Sequence, residues 1–462
     1  MMGVLRPPVL LAGLAAAGAV GLLLAGVSGL ADPGLARAGA VVVFALALWV
    51  TGVVAEPVTA IMFFLLAVLL SVASPAVVFS GFTSTAFWLV FGGLLVGMSV
   101  KRTGLGERLA HALVSRVGGS YLALCVGIAL VGMALGFLMP SSMGRVVLLL
   151  PVVLSLADHL GLEPGSKGRA GLVLLTGTVG FMPTGAILPA VVPNMVMVGA
   201  AETLYGVTFQ YFPWLIAHMP TTGLVKLGLI IGVIWAMFRE TPKHPPPVEH
   251  PGPLKADERR LAVILGLALL LWATDGIHGI SPAWVALAGG LACLLPPRPL
   301  VPMPLFSEKF NHTTLLHLAG LLGLGAVVAD SGLGVAAGQW LMGVLPLAGD
   351  APATSFAALA SLTALLGMVA TIPGVPAVMT PLTGSLAEAS GLPLQTVLYI
   401  QVVGYTTVFL PYQVPPLIVA IQMGGVGLRR AALFTLLLAA LTILIAWPLT
   451  YAWWRVIGVL PG

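Results

Sequence analysis

Apolar residues run through this chain in long blocks broken by short polar turns, and blocks of that length predict helices that cross a bilayer. They cover residues 9–30, 38–54, 57–73, 82–100 and 212–238, then 261–274, 282–295, 314–329 and 431–454. Residues 101–119 depart from the pattern. There Lys101, Arg102, Glu107, Arg108 and Arg116 alternate with Leu, Ala and Val, which predicts an amphipathic helix lying in the interface. Residues 330–350 look like a second interfacial segment. Between 239 and 260 the core TPKHPPPVEHPGPLKADERR is rich in proline and charge, and reads as a solvated linker between two halves.

Two stretches are interrupted in a more specific way. Residues 135–162 read LGFLMPSSMGRVVLLLPVVLSLADHLGL, and residues 366–392 read LGMVATIPGVPAVMTPLTGSLAEASGL. Each is an apolar arm, a tip of Pro, Gly and small polar residues, a second apolar arm and a closing Gly-Leu. This predicts helical hairpins, at about 121–158 and 355–389, that enter the membrane and turn back inside it. Irregular backbone at that depth is tolerated only where protein buries it or a wet cavity meets it. Each hairpin precedes a span with internal breaks. Residues 171–200 carry Pro183, Thr184, Gly185 and Pro189, and residues 394–423 carry Pro411, Tyr412, Gln413 and Pro415.

The order of features repeats about 230 residues apart, which marks an internal repeat. Lys101-Arg102-Thr103-Gly104-Leu105-Gly106 answers Ala329-Asp330-Ser331-Gly332-Leu333-Gly334, and Val192-Pro193-Asn194 loosely answers Val414-Pro415-Pro416. The expected division is an N-terminal helix over 1–37, a first repeat over 38–238, the linker over 239–260 and a second repeat over 261–462. Counting eleven crossings from a cytoplasmic Arg6 puts all but four of the 20 Lys and Arg on the cytoplasmic side. Arg37 and Arg455 fall outside, while Arg145 and Lys226 fall within the membrane. The first interfacial segment is basic and its mate has no basic residue, as expected of homologous segments on opposite faces. The repeats are therefore read as inverted, with the N-terminus cytoplasmic and the C-terminus outside. The first block is longer than a signal-peptide core and reads as a retained helix.

Composition agrees. Of 462 residues, 59% are hydrophobic and 8% charged, whereas a soluble domain carries roughly a quarter charged residues. The 57 Gly and 36 Pro point to frequently broken helices. An isoelectric point near 9.4 does not indicate nucleic acid, because the basic residues sit in short loops between spans. Cys125 and Cys293 lie in apolar runs and read as small core residues, with no metal spacing.

The candidate chemistry concentrates at the tips and breaks. The first tip offers Ser141, Ser142, Gly144 and Arg145 beside the N-terminus of the second arm, where partial positive charge and free N–H groups suit an anion. Arginine at membrane depth is costly, so Arg145 is a substrate candidate, against snorkelling or pairing with Asp158. The second tip offers Thr371 and Gly374. In the breaks, Gln413 and Pro415 are further substrate candidates, and Thr184, Gly185 and Asn194 are candidates for holding a cation. Lys226 reads as snorkelling or paired, and His218 as near an interface.

At the hairpins and breaks the chain resembles the divalent anion–sodium symporter family, within the larger ion transporter superfamily. That resemblance implies an all-α polytopic membrane protein with two inverted repeats, about 11 transmembrane helices and two re-entrant hairpins. It also implies a homodimer in which a static scaffold domain supports a transport domain moving like an elevator. Substrates in the family are dicarboxylates, tricarboxylates and sulfate, and sodium is the usual coupling ion. The family's Ser-Asn-Thr tip signature is replaced by Ser141-Ser142-Met143 in the first hairpin and by Ile372-Pro373-Gly374 in the second.

The expected function is secondary transport of a small anion across the cytoplasmic membrane, coupled to sodium, to protons or by exchange, with Arg145 supplying fixed charge where the family uses sodium. A cation/proton antiporter of the same superfamily is the alternative, although Asp158, Asp275, Asp330 and Glu388 all sit near segment ends. A membrane-embedded enzyme would need an acid/base pair or metal cluster, and the sequence offers none.

Overall fold

The computed structural model describes residues 7–30, 32–114, 120–244, 252–370 and 372–460. The described residues contain helices and turns but no strand. Eight helices are long and apolar enough to cross a membrane, among them Pro33–Thr51, Tyr211–Phe238, His312–Asp330 and Leu428–Val456. Shorter apolar helices include Glu56–Leu69 and Pro282–Leu294. The first helix, Pro7–Val27, is apolar on every side, yet Leu14 is 69% and Val27 88% exposed. A helix without a polar face is stable only inside protein or in lipid, and here lipid must cover it.

Serine and acidic caps start several helices. Asp32 accepts from the Leu35 N–H at 2.8 Å, Ser120 from Ala123 at 3.2 Å and Ser166 from Arg169 at 3.2 Å. Each satisfies one of the orphan donors of a first turn. The amphipathic segment after Arg102 forms the helix Leu105–Val114, and its counterpart forms Leu333–Met342.

Both hairpins form. The first has arms Tyr121–Leu138 and Ser142–His159, and the second has arms Pro352–Val369 and Gly374–Ser390. Thr371, in the second tip, lies outside the described residues. The first broken helix consists of Lys167–Val179 and Val192–Tyr205, joined by tight turns at Pro183–Ala186 and Leu188–Ala190. The second consists of Leu394–Tyr405 and Pro415–Gly424, with a turn at Pro411–Gln413. Proline at each restart explains where the helix resumes, because its fixed φ suits a first turn and its missing N–H is not needed there.

The halves interlock. Val192–Tyr205 packs on the second arm of the second hairpin, and Pro415–Gly424 packs on the second arm of the first hairpin. Each broken helix thus lies against the hairpin of the other half. Close approach needs small residues: at Gly177 an added Cβ would lie 2.8 Å from the Leu417 side chain.

The span Tyr211–Phe238 is not a uniform α-helix. Met219–Val225 is π-helical and contains Pro220, and the closing span has a second π segment at Thr442–Ala446. The two π segments pack on one another. At the basic turns, Arg169 pairs with Asp158, Arg108 with Glu258 at 3.0 Å and Lys243 with Glu163 at 2.6 Å.

Candidate functional site

The first tip is built from Met139, Pro140 and Ser141. The Ser141 hydroxyl accepts from the Gly144 N–H at 3.1 Å, so it starts the second arm. One turn later Arg145 points into the first break. Its side chain is 1% exposed. One terminal nitrogen donates to the carbonyls of Met139 and, at 3.0 Å, Ala190. The other donates to the Gly180 carbonyl at 2.7 Å, the Thr184 hydroxyl at 3.0 Å and the Ser142 hydroxyl at 3.3 Å. Its Nε has no partner.

The ring of acceptors around Arg145 is therefore neutral. Asp158 pairs with Arg169 instead, and among the described residues Arg145 has no carboxylate partner. Removing a guanidinium from water costs several kcal/mol even after relaxation. Hydrogen bonds involving a charged group recover about 1.5–3 kcal/mol each, and Arg145 makes them to three elements at once. Its planar fork allows this, and a lysine would not reach the same set.

Asn194 holds the other side of the first break. Its amide nitrogen donates to the carbonyls of Gly185 at 3.0 Å, Ile187 at 3.1 Å and Leu188 at 3.1 Å. Its amide oxygen accepts from the Tyr405 hydroxyl at 2.5 Å, at the end of the first segment of the second broken helix. Beside that contact, an added Cβ at Gly185 would lie 2.6 Å from the Thr406 methyl. The two breaks therefore meet, and only glycine fits where they touch.

The second break is organised differently. Gln413 is 3% exposed, and its amide oxygen accepts from the N–H groups of Phe409 at 2.8 Å and Leu410 at 2.7 Å. Tyr412 donates to the Met368 carbonyl of the second hairpin at 2.7 Å. Lys226 is buried rather than snorkelling, and among the described residues it meets no carboxylate. It is 2% exposed, and Nζ donates to the Thr406 carbonyl at 3.0 Å and the Thr406 hydroxyl at 2.8 Å. Gly374 is buried at the start of its arm, and Pro415 is exposed at the restart of its helix.

The structure brings Ser142, Arg145, Thr184, Gly185 and Asn194 to the first break, with Ser141 capping the tip. Gln413 and Pro415 lie at the second break and Gly374 at the tip of the second hairpin. Sequence reasoning missed Tyr405, Thr406 and the full burial of His218, and it misread Lys226. The signal for Lys226 was present, since a lysine in mid-span two turns past a histidine has no short way to either face. Nothing marked Tyr405 and Thr406 as the residues joining the two breaks.

Two helical hairpins and two broken helices, joined around buried cations among apolar helices long enough to cross a membrane, fit a carrier better than an enzyme pocket. The comparisons agree. The family model described as the sodium:sulfate symporter transmembrane region matches residues 10–460, and the chain belongs to that family. A "Membrane protein" of Cupriavidus necator is 28% identical over 326 residues, covering 65% of this chain and 63% of that one. An L-tartrate/succinate antiporter of Escherichia coli K12 is 25% identical over 279 residues, covering 58% of this chain and 57% of its own. The matched stretches thus span less than two-thirds of either relative's length. The crystal structure of the Alcanivorax borkumensis YdaH transporter shares the fold, with a TM-score of 0.57 at 18% identity over 83% of this chain and 88% of that one.

Proposed function

We propose that the protein is a sodium-independent carrier that exchanges small dianions, of the dicarboxylate or sulfate class, across the cytoplasmic membrane. The observation that carries this reading is the buried Arg145 guanidinium, held by neutral oxygens alone at the first break. A hard cation such as sodium seeks oxygen ligands of this kind. Here the carbonyls of Gly180 and Ala190 and the Thr184 hydroxyl already face a charge that belongs to the chain. The first break therefore has a permanent cation and no need of a mobile one.

Fixed charge acts together with backbone. The second arm of the first hairpin begins at Ser142, three residues before Arg145, so its N-terminal partial charge adds to the field of Arg145. Ser141 and Ser142 are both partly exposed there and present hydroxyls to an anion at the tip. Gly374, Gln413 and Pro415, with Thr371 nearby in sequence, are the second tip and break that would complete the site. A carrier with built-in cations strands them unneutralised if it moves empty, and burying an unpaired charge is costly. Movement with an anion bound in each direction avoids that cost, which is the behaviour of an exchanger. The antiporter relatives support the same class of substrate. The reciprocal packing of the halves supports two inverted repeats and the 38–238 and 261–462 division; the family match adds an elevator-type transport domain and a homodimeric scaffold to the proposal.

The test is counterflow. Proteoliposomes preloaded with succinate should take up labelled succinate, tartrate or sulfate equally well in sodium and in choline buffer. Uptake that requires an inward sodium gradient would overturn the reading.

A further inference from the structure

One face of the span Tyr211–Phe238 is polar where lipid and core should make it apolar. Tyr211, Trp214, His218, Thr221 and Lys226 follow each other at helical spacing, and all are buried. The Tyr211 hydroxyl, the Trp214 indole N–H, both ring nitrogens of His218 and the Thr221 hydroxyl have no hydrogen-bond partner. Buried polar atoms are rarely left so. A run of them on one helix face calls for water between them, each molecule typically bonding about three polar groups.

Both ends of this file lead somewhere. At one end the Tyr211 N–H donates to Asp275, which is 1% exposed and whose other carboxylate oxygen is also without a partner. Asp275, Gln210 and Glu202 line a cavity of about 310 Å³. Thr85, at the start of the helix Thr85–Thr103, lines it too, so it lies at the membrane face opposite Arg102 and Arg108. At the other end Lys226 reaches Thr406 at the second break. Midway, His218 sits among Trp214, Tyr399 and Trp454, with ring centroids 4.7, 4.8 and 5.6 Å away. Aromatic faces of this kind stabilise a cation passing close to them. Between His218 and Lys226 the helix widens into the π segment around Pro220. Pro220 has no N–H to donate, and π-bulges of this kind gather at functional sites.

We infer that this face is a hydrated proton path from the Asp275 cavity to the second helix break, with Lys226 as the group that takes up and releases the proton. In the forward step a hydronium ion of the water file gives a proton to the lone pair of a neutral Lys226 amine, so an O–H bond breaks, an N–H bond forms and a water molecule is left behind. In the return step that N–H bond breaks and the proton goes back to water. No electron changes hands. Arg145 cannot serve this way, because a guanidinium keeps its proton in proteins, whereas a lysine can exchange it.

The groups around Lys226 fit the role. On its own span stand Tyr211 and His218. Thr406 brings Tyr399 and Tyr405 on Leu394–Tyr405. The first hairpin arm adds Tyr121 and Cys125, and the closing span adds Tyr451. The remaining cations on packed elements are Lys167, Arg169, Arg429, Arg430 and Arg455, near helix ends, and Arg145 beyond Thr184. Of the carboxylates on these elements, Asp158 ends the helix of Arg145 and pairs with Arg169, and Asp275 meets the far end of the span at Tyr211; among the described residues none reaches Lys226, so no counter-ion fixes the ammonium.

This inference rests on the carrier reading and names a proton as the ion that travels with the anion. The experiment uses sodium-free proteoliposomes of the full chain, with a pH-sensitive dye trapped inside and the outside made acidic. Wild-type protein should move protons only when succinate moves, at a fixed ratio of protons to labelled anion. Lys226→Arg should lower that ratio at least about tenfold, because its cation cannot discharge. His218→Phe should slow proton arrival while leaving anion counterflow in place. Anion transport without proton movement, or an unchanged ratio in Lys226→Arg, would overturn the path. Hydroxyl-radical footprinting of the purified protein tests the water itself, without any transported anion. Tyr211, Trp214 and Met219 should oxidise faster than the buried Phe63 and Phe434, and equal rates would overturn the path whatever the anion assays show. Absence of counterflow for every anion tested would count against the carrier reading alone.

Discussion

Each broken helix has one buried cation at its break, and the two are held in opposite ways. Arg145 spreads its charge over oxygens from the first tip, from Gly180, from Thr184 and from Ala190. Lys226 has only the two oxygens of Thr406. The Thr406 hydroxyl in turn donates to the Val402 carbonyl at 2.5 Å, so it would keep a partner without the lysine. The difference teaches that a buried charge can be a strut or a movable part, according to how many neighbours depend on it. More neighbours depend on the cation of the first break than on that of the second, so its loss is expected to disturb the structure more.

The largest effect should come from removing the strut. In Arg145→Met the Met139 and Ala190 carbonyls lose their guanidinium donor and Gly180 keeps only the Thr184 hydroxyl at 3.3 Å, at about 1–3 kcal/mol for each buried group left unsatisfied. In Lys226→Met one carbonyl and one already bonded hydroxyl lose a partner, at about 1–3 kcal/mol for a buried group left unsatisfied. Thermal unfolding of the two variants in detergent should show the arginine variant clearly less stable, with counterflow abolished. Arg145→Lys should keep the charge but not the fork, and should recover only part of the loss. Equal melting temperatures for Arg145→Met and Lys226→Met would break the distinction.

The contact between the breaks should come next. An alanine Cβ at Gly185 would press on the Thr406 methyl at 2.6 Å, and overpacking of this kind costs typically about 1–3 kcal/mol. Thr406→Ser removes that methyl and keeps the hydroxyl that Lys226 bonds. The double variant Gly185→Ala with Thr406→Ser should therefore be more stable than Gly185→Ala alone, a coupling expected only of residues in contact. Additive losses would mean that the two breaks do not bear on each other.

How much of this was legible depends on which residues carry local signals. The hairpins and breaks were readable because proline, glycine and small polar residues interrupt apolar runs, and such punctuation acts over a few residues. Ser141, Ser142 and Arg145 were found for the same reason. What Arg145 bonds was not readable, since Gly180, Thr184 and Ala190 are 35 to 45 positions away and offer mostly backbone. The Asn194–Tyr405 contact joins residues 211 positions apart. His218 reads as interfacial in sequence because two of the three rings that bury it, Tyr399 and Trp454, come from helices far along the chain.

The smallest effect should be at a third cation, Lys243, which lies in water and measures what depth adds to the other two. It pairs with Glu163 at 2.6 Å, and that hydrogen bond holds the Glu163 carboxyl below its ordinary range. A lowered carboxylate contributes stability above its unfolded value that is lost as pH falls through its folded value. Both side chains are exposed, however, so salt and water screen the pair and its contribution is slight. The segment also docks without it, because the Lys243 N–H donates to the Leu160 carbonyl at 2.8 Å. Lys243→Met and Glu163→Gln should therefore leave the melting temperature unchanged at physiological ionic strength, with at most a small acid-side difference at low salt. A shift as large as that of Lys226→Met would mean that the number and burial of neighbours do not rank these three cations.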